Sequence, residues 1–284
     1  MKVVCLGGGP AGLYFAISMK LRDPAHEVTV LERNKPGDTF GWGVVFSDQT
    51  MDNLRANDPE GAVAIGEALA WWDDIDIHLR GETITSGGHG FSGIGRKKLL
   101  NILQDRAREL GVKLVFEHEV ELADLETMDA DLIVAADGLN SKVRNAWPDA
   151  FEVDLDVRPN KYVWLGTTKA FDAFTFAFEE TEAGWIWAHA YRFEEGASTF
   201  ILECSEETWR GLGFDQMDAE ETCRAGERIF AKYLDGHKLE SNAAHLRGSA
   251  WLNFPRVLCR NWRKRNIVLL GDAAHTAHFS IGSG

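Results

Sequence analysis

The chain has 284 residues, of which 45% are hydrophobic and 26% charged, and this composition is typical of a globular protein with one large or two modest domains. Lys and Arg total 30 against 44 Asp and Glu, so the formal net charge is −14, which argues against binding to nucleic acid or to an anionic membrane surface. No apolar run approaches the roughly 20 residues that span a bilayer, and no signal peptide is recognisable. The four widely spaced cysteines indicate reduced thiols in the cytoplasm and give no support for a metal site.

The first part of the chain alternates between strand and helix patterns. In chain order, the predicted elements are a strand at residues 3–6, a helix at 10–21, a strand at 28–31, an amphipathic helix at 96–110 and strands at 112–116 and 132–136. Alternation of this kind predicts a mostly parallel sheet covered by helices.

The middle of the chain has a different pattern. It predicts strands at residues 162–168, 174–178, 185–191 and 199–204, then helices at 205–210 and 219–233, and a last strand at 267–270. Because no helix-length segment separates the first four of these strands, we expect them to pair as an antiparallel sheet. One face of the strand at 185–191 would carry an aromatic stripe, which is either the wall of a pocket or the core face of the sheet.

Together the two patterns predict an α/β protein in which an antiparallel-sheet domain interrupts a Rossmann-like nucleotide-binding domain with a parallel sheet. We assign residues 1–70, 95–155 and 262–284 to the nucleotide-binding domain, and residues 71–94 and 156–261 to the inserted substrate domain. The last predicted strand has no covering helix before the sequence stops at Gly284. We therefore expect these residues to be the front part of a longer protein.

A glycine-rich turn joins the first predicted strand to the first predicted helix. The segment Gly7-Gly8-Gly9-Pro10-Ala11-Gly12 satisfies the GxGxxG pattern. Its first glycine permits a tight turn, the second lets a pyrophosphate approach the backbone, and the third lets the helix pack closely. Glu32, followed by Arg33, ends the second strand 20 residues after Gly12, where a carboxylate can bind the adenosine ribose. The pattern predicts a dinucleotide site but does not distinguish FAD from NAD.

Two later motifs each follow a buried strand. Asp137-Gly138-Leu139-Asn140-Ser141-Lys142-Val143-Arg144 reads DGxxSxxR, and Leu270-Gly271-Asp272-Ala273-Ala274-His275 reads LGDAAH. In each motif the glycine allows a close backbone approach and the aspartate can bind hydroxyl groups. Either motif alone is also compatible with an ordinary strand–turn–helix junction that has a capping aspartate.

The three motifs, in this order and with a sheet-sized insertion between the last two, resemble those of the FAD-dependent aromatic-ring hydroxylases of the p-hydroxybenzoate hydroxylase fold. The resemblance covers essentially the whole chain. It implies FAD bound in an extended form and reduction by NADH or NADPH without a separate nicotinamide domain. It also implies dioxygen as a co-substrate, with one oxygen atom transferred from a flavin hydroperoxide to an activated ring.

The resemblance also implies which residues bind the cofactor. The ADP half of FAD would lie against the glycine-rich turn and the end of the second strand, that is Gly7, Gly9, Pro10, Ala11, Gly12, Glu32 and Arg33. Gly271 and Asp272 would address the ribityl and pyrophosphate region. The DG motif would serve both FAD and NAD(P)H through Asp137, Gly138 and Arg144. Arg96 matches a family position near the FAD phosphates, although a solvated arginine at a helix start is an equal alternative.

Further segments are similar to a subgroup of the family. Residues 41–46, 160–167 and 278–282 resemble the monooxygenase portion of salicylyl-CoA 5-hydroxylase and of anthraniloyl-CoA monooxygenase, and also the hydroxylase of tryptophan derivatives in violacein biosynthesis. The resemblance implies an aromatic acyl-CoA substrate, with a tryptophan-like indole as the alternative. Because the acyl-CoA relatives continue into a reductase-like second half, we expect a fused or missing C-terminal segment of that kind.

Two residues are candidates for the reacting end of the site. His278 follows the GD motif, and it would either bind the substrate's ring substituent and move its proton or fix the loop through backbone bonds. Trp42 lies between Gly41 and Gly43, and it would either wall the flavin and the substrate or pack in the core. Transfer of oxygen to an electron-rich ring needs no protein nucleophile, so we expect no catalytic triad.

The leading hypothesis is a flavin-dependent monooxygenase that hydroxylates an aromatic acyl-CoA such as salicylyl-CoA or anthraniloyl-CoA. One alternative keeps this chemistry and uses a tryptophan-like indole. A second is a flavin-linked reductase or dehydrogenase that inserts no oxygen. A third is an inactive truncated fragment of an FAD-binding protein, which binds FAD poorly or assembles only with missing segments.

Overall fold

A computed structural model describes residues 1–39, 41–242 and 250–279. In chain order the strands are β1 (Lys2–Leu6), β2 (Glu27–Leu31), β3 (Gly43–Ser47), β4 (Ala70–Trp72), β5 (Ile75–Leu79), β6 (Glu82–Ser86), β7 (Phe91–Gly95), β8 (Lys113–Val115), β9 (Leu132–Ala135), β10 (Val153–Thr167), β11 (Phe174–Thr181), β12 (Gly184–Glu194), β13 (Ala197–Cys204), β14 (Leu239–Ser241), β15 (Leu252–Cys259), β16 (Arg263–Lys264) and β17 (Ile267–Leu269).

The helices lie mainly in the first half of the chain and after β13. They are α1 (Pro10–Arg22), α2 (Asp48–Asn57), α3 (Pro59–Gly66), α4 (Arg96–Glu109), α5 (Asp124–Thr127), α6 (Lys142–Ala146), α7 (Pro148–Phe151), α8 (Glu206–Gly211), α9 (Ala219–Ile229) and α10 (Ala231–Leu234), with short 3-10 turns at Phe214–Gln216 and Gly271–Ala273. Among the described residues, we find no helix with the length and apolar character needed to cross a bilayer.

A mostly parallel sheet forms the first layer of the fold. Its strand order is β16-β17-β9-β1-β2-β8, and β1 pairs in parallel with both β2 and β9. Helices α1 and α4 pack together on one face of this sheet, because their apolar residues recur at helical spacing and share one buried cluster. The carboxyl ends of β1, β2 and β9 therefore meet at one edge, as the alternating pattern predicts.

A second, mainly antiparallel sheet is built from the middle of the chain. Its strand order is β14-β10-β13-β12-β11-β5-β6, and β15 pairs with β10. One face packs against α9 and α10 through a cluster that includes Val163, Ile186 and Leu202. The residues between them in sequence point to the opposite face, because side chains alternate along a strand. This opposite face carries Tyr162, Trp187, His189 and Glu203, and we call it the cleft face.

The second sheet differs from the expectation in one pairing. Strand β5 pairs with β11 in parallel, whereas the other strand pairs of this sheet are antiparallel. The hairpin of β5 and β6 comes from residues 75–86, far earlier in the chain than β11. A long stretch of chain, which includes α4 and the strands β8 and β9 of the parallel sheet, separates β5 from β11, and this leaves room for the connection that parallel strands require.

A small third sheet, with strand order β3-β7-β4, lies against the second sheet. The backbone N–H of Gly43 donates to Thr199 Oγ1 at 3.0 Å, and the Tyr191 hydroxyl donates to the Gly43 carbonyl oxygen at 2.8 Å. A Cβ atom at Gly43 would lie 2.4 Å from Phe193 Cβ, so only glycine fits at this contact. These bonds fix the start of β3 on the cleft face.

Some predicted boundaries differ from those in the structure. Strand β10 begins at Val153, so the boundary predicted at 155/156 falls inside it, and the boundary at 94/95 falls inside β7. The helix predicted at 219–233 is divided, because Phe230 leaves the helical region at φ −103° and ψ 20°. The division of the chain into two domains remains a prediction.

Candidate active site

The glycine-rich turn between β1 and α1 has a different environment at each of its glycines. Gly7 has a φ of +104°, and a Cβ there would lie 2.2 Å from the Ala136 carbonyl oxygen. A Cβ at Gly12 would lie 2.1 Å from the Gly7 carbonyl oxygen, so the fold itself requires both glycines. A Cβ at Gly9 would meet no described atom within 4 Å. Gly9 thus borders open space at the N-terminus of α1, where backbone N–H groups favour an anion.

Glu32 follows β2 and braces this turn. Its Oε2 accepts a hydrogen bond from the Gly8 N–H at 2.7 Å, and its Oε1 accepts from the backbone N–H and the Nδ2 of Asn34, both at 2.8 Å. The carboxylate is thereby fixed beside the glycine turn. A carboxylate has about four acceptor positions, so Glu32 retains capacity for a ligand hydroxyl.

A cavity of about 260 Å³ opens at the carboxyl ends of β1, β2 and β9. Its lining includes Gly7, Gly9, Glu32, Arg33, Asp137 and Gly138. Asp137 Oδ2 accepts from the Val143 N–H at 3.3 Å, while Oδ1 is buried and has no hydrogen-bond partner among the described residues. A buried oxygen without a partner costs free energy unless a ligand or water supplies a donor, so this cavity suits a nucleotide with free hydroxyl groups.

The GD and DG motifs meet each other and α1. Gly271 has a φ of +62°, and a Cβ there would lie 2.8 Å from Ala11 Cβ, next to Pro10 in the first turn of α1. The buried Arg144 guanidinium donates to the carbonyl oxygens of Leu139 at 2.6 Å and Ala273 at 3.3 Å. The structure thus places Arg144 as a brace between the two motif loops, and a direct contact with a cofactor remains a prediction.

Arg96, at the start of α4, lies between the two sheets. Its guanidinium sits over the Trp164 ring, 5.4 Å from the ring centroid. Burial lowers the pKa of this guanidinium, and the negative charge of Asp272 acts in the opposite direction. The structure thus places Arg96 against Trp164 of the second sheet, and its contact with the FAD phosphates remains a prediction.

Trp42 packs against the cleft face of the second sheet. A Cβ at Gly166 would lie 2.6 Å from the Trp42 ring, so the indole covers this glycine of β10. The Trp42 carbonyl oxygen accepts from the Arg96 backbone N–H at 2.9 Å, and its indole nitrogen has no partner among the described residues. Trp42 lies next to the Arg96 end of the cleft and is not among the residues that line the cavity at His278.

The register of the second sheet assembles a polar cluster on the cleft face. Strand β13 lies between β10 and β12, and its Glu203 is paired in register with Tyr162 of β10 on one side and with Trp187 of β12 on the other. Glu203 Oε1 accepts from Asn160 Nδ2 at 3.0 Å, and Oε2 lies 3.2 Å from both Trp187 Nε1 and His189 Nε2. Only 4% of Glu203 is exposed, so these are hydrogen bonds to a buried carboxyl group.

The charge state of Glu203 follows from these contacts. Burial by itself raises the pKa of the Glu203 carboxyl, but hydrogen bonds from His189 and Asn160 outweigh it, and the pKa lies below its ordinary value. The group is therefore a carboxylate at neutral pH. Burial and the charge of Glu203 both raise the pKa of the Tyr162 phenol, which stays neutral.

His278 closes this cluster from the side of the GD motif. Its Nε2 lies 3.7 Å from Glu203 Oε1, and its ring lies 4.9 Å from that of Phe254. The Phe279 ring lies 4.8 Å from Tyr162 and 5.5 Å from His189. A cavity of about 300 Å³ lies here, and it is lined by Arg158, Pro159, Asn160, Tyr162, Glu203, Phe254 and His278.

Sequence reasoning singled out His278 but missed Glu203, Asn160 and Tyr162. The signal for Glu203 is present in the sequence, since it is the one charged residue in the otherwise apolar run Phe200-Ile201-Leu202-Glu203-Cys204. An ionisable residue at a buried strand position needs partners, which often marks a functional site. Its partners come from other strands, and they became visible only with the register of the sheet.

The fold and the two cavities define a nucleotide-binding α/β enzyme with a second, aromatic-lined site on an antiparallel sheet. The FAD binding domain family matches residues 1–284. The chain therefore belongs to this family, in the branch of the flavin-dependent aromatic hydroxylases. The expectations of the family, of its α/β fold and of FAD as the cofactor are thus confirmed.

Individual relatives agree with this assignment. The chain is 44% identical to salicyloyl-CoA 5-hydroxylase from a Streptomyces species, over 100% of this chain and 55% of that protein, so it spans about half the length of that relative. It is 34% identical to 3-hydroxy-4-methyl-anthranilyl-[aryl-carrier protein] 5-monooxygenase of Streptosporangium sibiricum and 33% identical to protodeoxyviolaceinate monooxygenase of Chromobacterium violaceum, in each case over 100% of this chain and 75% of the relative.

A solved structure shares the fold. The tetrameric form of 2-methyl-3-hydroxypyridine-5-carboxylic acid oxygenase superimposes with a TM-score of 0.77 at 20% sequence identity, over 100% of this chain and 78% of that one. At this level of identity the likeness shows the fold alone.

Proposed function

We propose that this chain hydroxylates an activated aromatic ring carried as an acyl thioester, such as salicylyl-CoA or anthraniloyl-CoA, with NADH or NADPH and dioxygen as co-substrates. The observation that carries the proposal is the cavity in which His278 and the buried Glu203 face a group of aromatic rings. Two relatives whose names specify acyl-CoA or carrier-bound aromatic substrates support it.

The residues of the first cavity fit FAD. Gly7 and Gly12 let the chain make the tight turn, Gly9 leaves the α1 N-terminus open to a pyrophosphate, and Glu32 and the Asp137 Oδ1 can bind hydroxyl groups. Arg33, Gly138 and Asp272 complete the proposed contacts. The chemistry that bound FAD would supply is the transfer of electrons from the nicotinamide and the activation of dioxygen toward the ring.

The chain's own residues would bind and orient the ring. Tyr162, Phe254 and Phe279 provide aromatic surfaces that exclude water and pack against a flat substrate. Burial lowers the pKa of the His278 imidazole, and the charge of Glu203 offsets this only in part, so the ring is mostly neutral at pH 7. A neutral imidazole can hydrogen-bond a ring hydroxyl or amino group and exchange a proton with it.

The test supplies the FAD-loaded chain with NADH or NADPH and a panel of aromatic CoA thioesters, and it measures both cofactor oxidation and product mass. We expect oxidation coupled to a gain of one oxygen atom by the ring. In His278→Gln, bound FAD should remain at the wild-type level while turnover falls by about 100-fold. Oxidation of NAD(P)H without a hydroxylated product would favour the reductase alternative, and failure to retain FAD would favour the inactive fragment.

A second candidate substrate is a tryptophan-like indole. The sequence resemblance to the hydroxylase of violacein biosynthesis implies it, and the chain is 33% identical to protodeoxyviolaceinate monooxygenase. Including indoles in the substrate panel separates the two candidates. Hydroxylation of indoles alone would overturn the acyl-thioester proposal.

The proposal also includes a C-terminal reductase-like segment and a cytoplasmic location. A reductase-like segment after residue 284 is in keeping with the greater length of the salicyloyl-CoA relative. A cytoplasmic location is in keeping with the four free cysteines. Cell fractionation and the mass of the protein in its natural source would test both.

A further inference from the structure

The polar cluster on the cleft face has a negative charge at its centre, and this charge affects which substrates can bind. Glu203 is buried and is held by donors from three neighbouring residues, Asn160, Trp187 and His189. These bonds keep the carboxylate ionised and fix its position. The residue therefore presents a rigid, charged hydrogen-bond acceptor to the cavity that it lines.

One acceptor position of Glu203 remains open toward the cavity. A carboxylate offers about four acceptor positions. The described donors use two on Oε2, from Trp187 and His189, and one on Oε1, from Asn160. His278 Nε2 lies 3.7 Å from Oε1, which is longer than a hydrogen bond. A donor group on a ligand can therefore reach Oε1 and contact His278 at the same time.

The arginine that lines this cavity already has a partner. Arg158 lines the cavity, but its guanidinium pairs with Asp156 at 3.1 Å and its side chain is 53% exposed. It therefore does little to offset the buried charge of Glu203. A ring with a free carboxylate would bring a second negative charge beside the first, and because Glu203 is buried, water screens the repulsion less than it would at the surface.

We propose that Glu203 determines specificity: its carboxylate accepts a hydrogen bond from a ring hydroxyl or amino group, and its charge rejects aromatic rings that bear a free carboxylate. This inference rests on the proposed function and narrows the substrate class. The acceptor selects a ring with a donor substituent, and the repulsion requires the carboxyl group to be masked, as it is in a thioester. Glu203 would thus attract a ring with a donor substituent through a hydrogen bond and repel a ring with a free carboxylate through its charge.

The test measures equilibrium binding to the FAD-loaded chain by calorimetry, without turnover. The ligands are the N-ethyl amide of 2-aminobenzoate as a stable substitute for the thioester, 2-aminobenzoate itself, and N-ethylbenzamide, which lacks the amino donor. We expect the wild type to prefer the amino amide over the acid by about 100-fold, and over N-ethylbenzamide by about 10-fold. Equal binding of the amino amide and the acid, or failure of all three to bind, would overturn the proposal without any variant.

Two variants locate the effect. In Glu203→Gln the charge is lost at nearly constant shape, and the preference for the amide over the acid should fall to about 10-fold or less. The control is Glu179→Gln, because Glu179 is a partly buried glutamate on β11 that pairs with Lys232 on the opposite face of the same sheet. It should keep the wild-type ratio. A wild-type ratio in Glu203→Gln, or the same loss in both variants, would contradict the role of Glu203.

This measurement is separate from the test of the proposed function. If binding shows the expected preference but no hydroxylated product forms, then the proposed reaction fails and the specificity of the cavity stands. If thioesters are hydroxylated while the acid and the amide bind equally, then the reaction stands and the role of Glu203 fails.

Discussion

Gly9 and Gly12 belong to the same six-residue motif, but their surroundings differ. A methyl group at Gly12 would overlap the Gly7 carbonyl oxygen, whereas a methyl group at Gly9 would meet no described atom. The requirement at Gly12 therefore comes from the fold, through the close packing of α1 on β1. The requirement at Gly9 is expected to come from the ligand.

This difference predicts separate effects on stability and on binding. Gly12→Ala should lower the free energy of unfolding by about 1–3 kcal/mol, because the backbone must shift to accept the methyl group. Gly9→Ala should leave the stability of the FAD-free chain unchanged and weaken FAD binding. Thermal unfolding without FAD, followed by titration with FAD, measures both. A Gly12→Ala variant with wild-type stability would contradict the packing argument.

Glu203 also links the stability of the chain to pH. The folded protein holds the Glu203 pKa below its ordinary value of 4.5. The unfolded chain therefore binds a proton more readily, so this group contributes stability above pH 4.5, and that contribution is lost as the pH falls through the lower folded pKa. Melting temperatures from pH 7 to pH 3 should show the wild type losing its advantage over Glu203→Gln at the acid end. A difference that stays constant over this range would rule out a depressed pKa.

At the level of elements, the start of β3 joins the small third sheet to the second sheet through hydrogen bonds. Gly43 both donates to Thr199 and accepts from Tyr191, and it leaves no space for a side chain beside Phe193. Burial raises the pKa of the Tyr191 phenol to about 12, so its hydroxyl remains a donor across the physiological range. The contact therefore depends on the missing side chain of Gly43 and on its hydrogen bonds with Thr199 and Tyr191.

Substitutions at this contact should destabilise the chain by different mechanisms. Gly43→Ala forces a methyl group into Phe193 and should cost about 1–3 kcal/mol. Tyr191→Phe leaves the Gly43 carbonyl without this donor and should cost about 1 kcal/mol. Gly66→Ala is the control, since a Cβ there meets no described atom within 4 Å and alanine favours the helix. Denaturant unfolding gives all three values, and a Gly43→Ala effect no larger than that of Gly66→Ala would contradict the proposed packing.

For the whole molecule, sequence patterns predicted the elements whose signals are local and strong, and they missed the elements whose signals are short or weak. The unit of β1, α1 and β2 was predictable because its apolar spacing and its glycines lie within about 30 consecutive residues. The small sheet of β3, β4 and β7 was not predicted, because its strands are short and β7 contains Gly93 and Gly95, which weaken strand signals.

In the candidate site, too, residues of continuous motifs were predictable from the sequence, and residues brought together by strand pairing were not. The GxGxxG and DG motifs predicted several residues that line the first cavity, because each motif is continuous in sequence. The cluster around Glu203 joins residues such as Asn160, which is 43 positions away, and only the register of the strands brings them together. A shift of one residue would move Glu203 to the face covered by α9 and α10.

Binding of FAD should stabilise the whole chain, because its proposed contacts come from β1, β2, β9 and the GD motif, which are distant in sequence. At an FAD concentration 100-fold above its dissociation constant, the gain is about 2.7 kcal/mol, which corresponds to a rise in melting temperature of about 5–10 °C. Asp272→Ala should lose most of this rise while its FAD-free melting temperature stays near that of the wild type. Full stabilisation by FAD in this variant would remove Asp272 from the site.

The parallel pairing of β5 with β11 constrains how the protein folds as it is made. Strand β5 leaves the ribosome roughly a hundred residues before its partner, a delay of about 5–20 s at ordinary rates of synthesis. During that time the hairpin of β5 and β6 has no partner at its inner edge, which is β5, and Leu79 of this strand remains 40% exposed even in the finished fold. The nascent chain thus carries an unpaired, partly apolar edge that is open to aggregation until β11 arrives, and slow synthesis or a chaperone at this stage would decide the yield of folded enzyme.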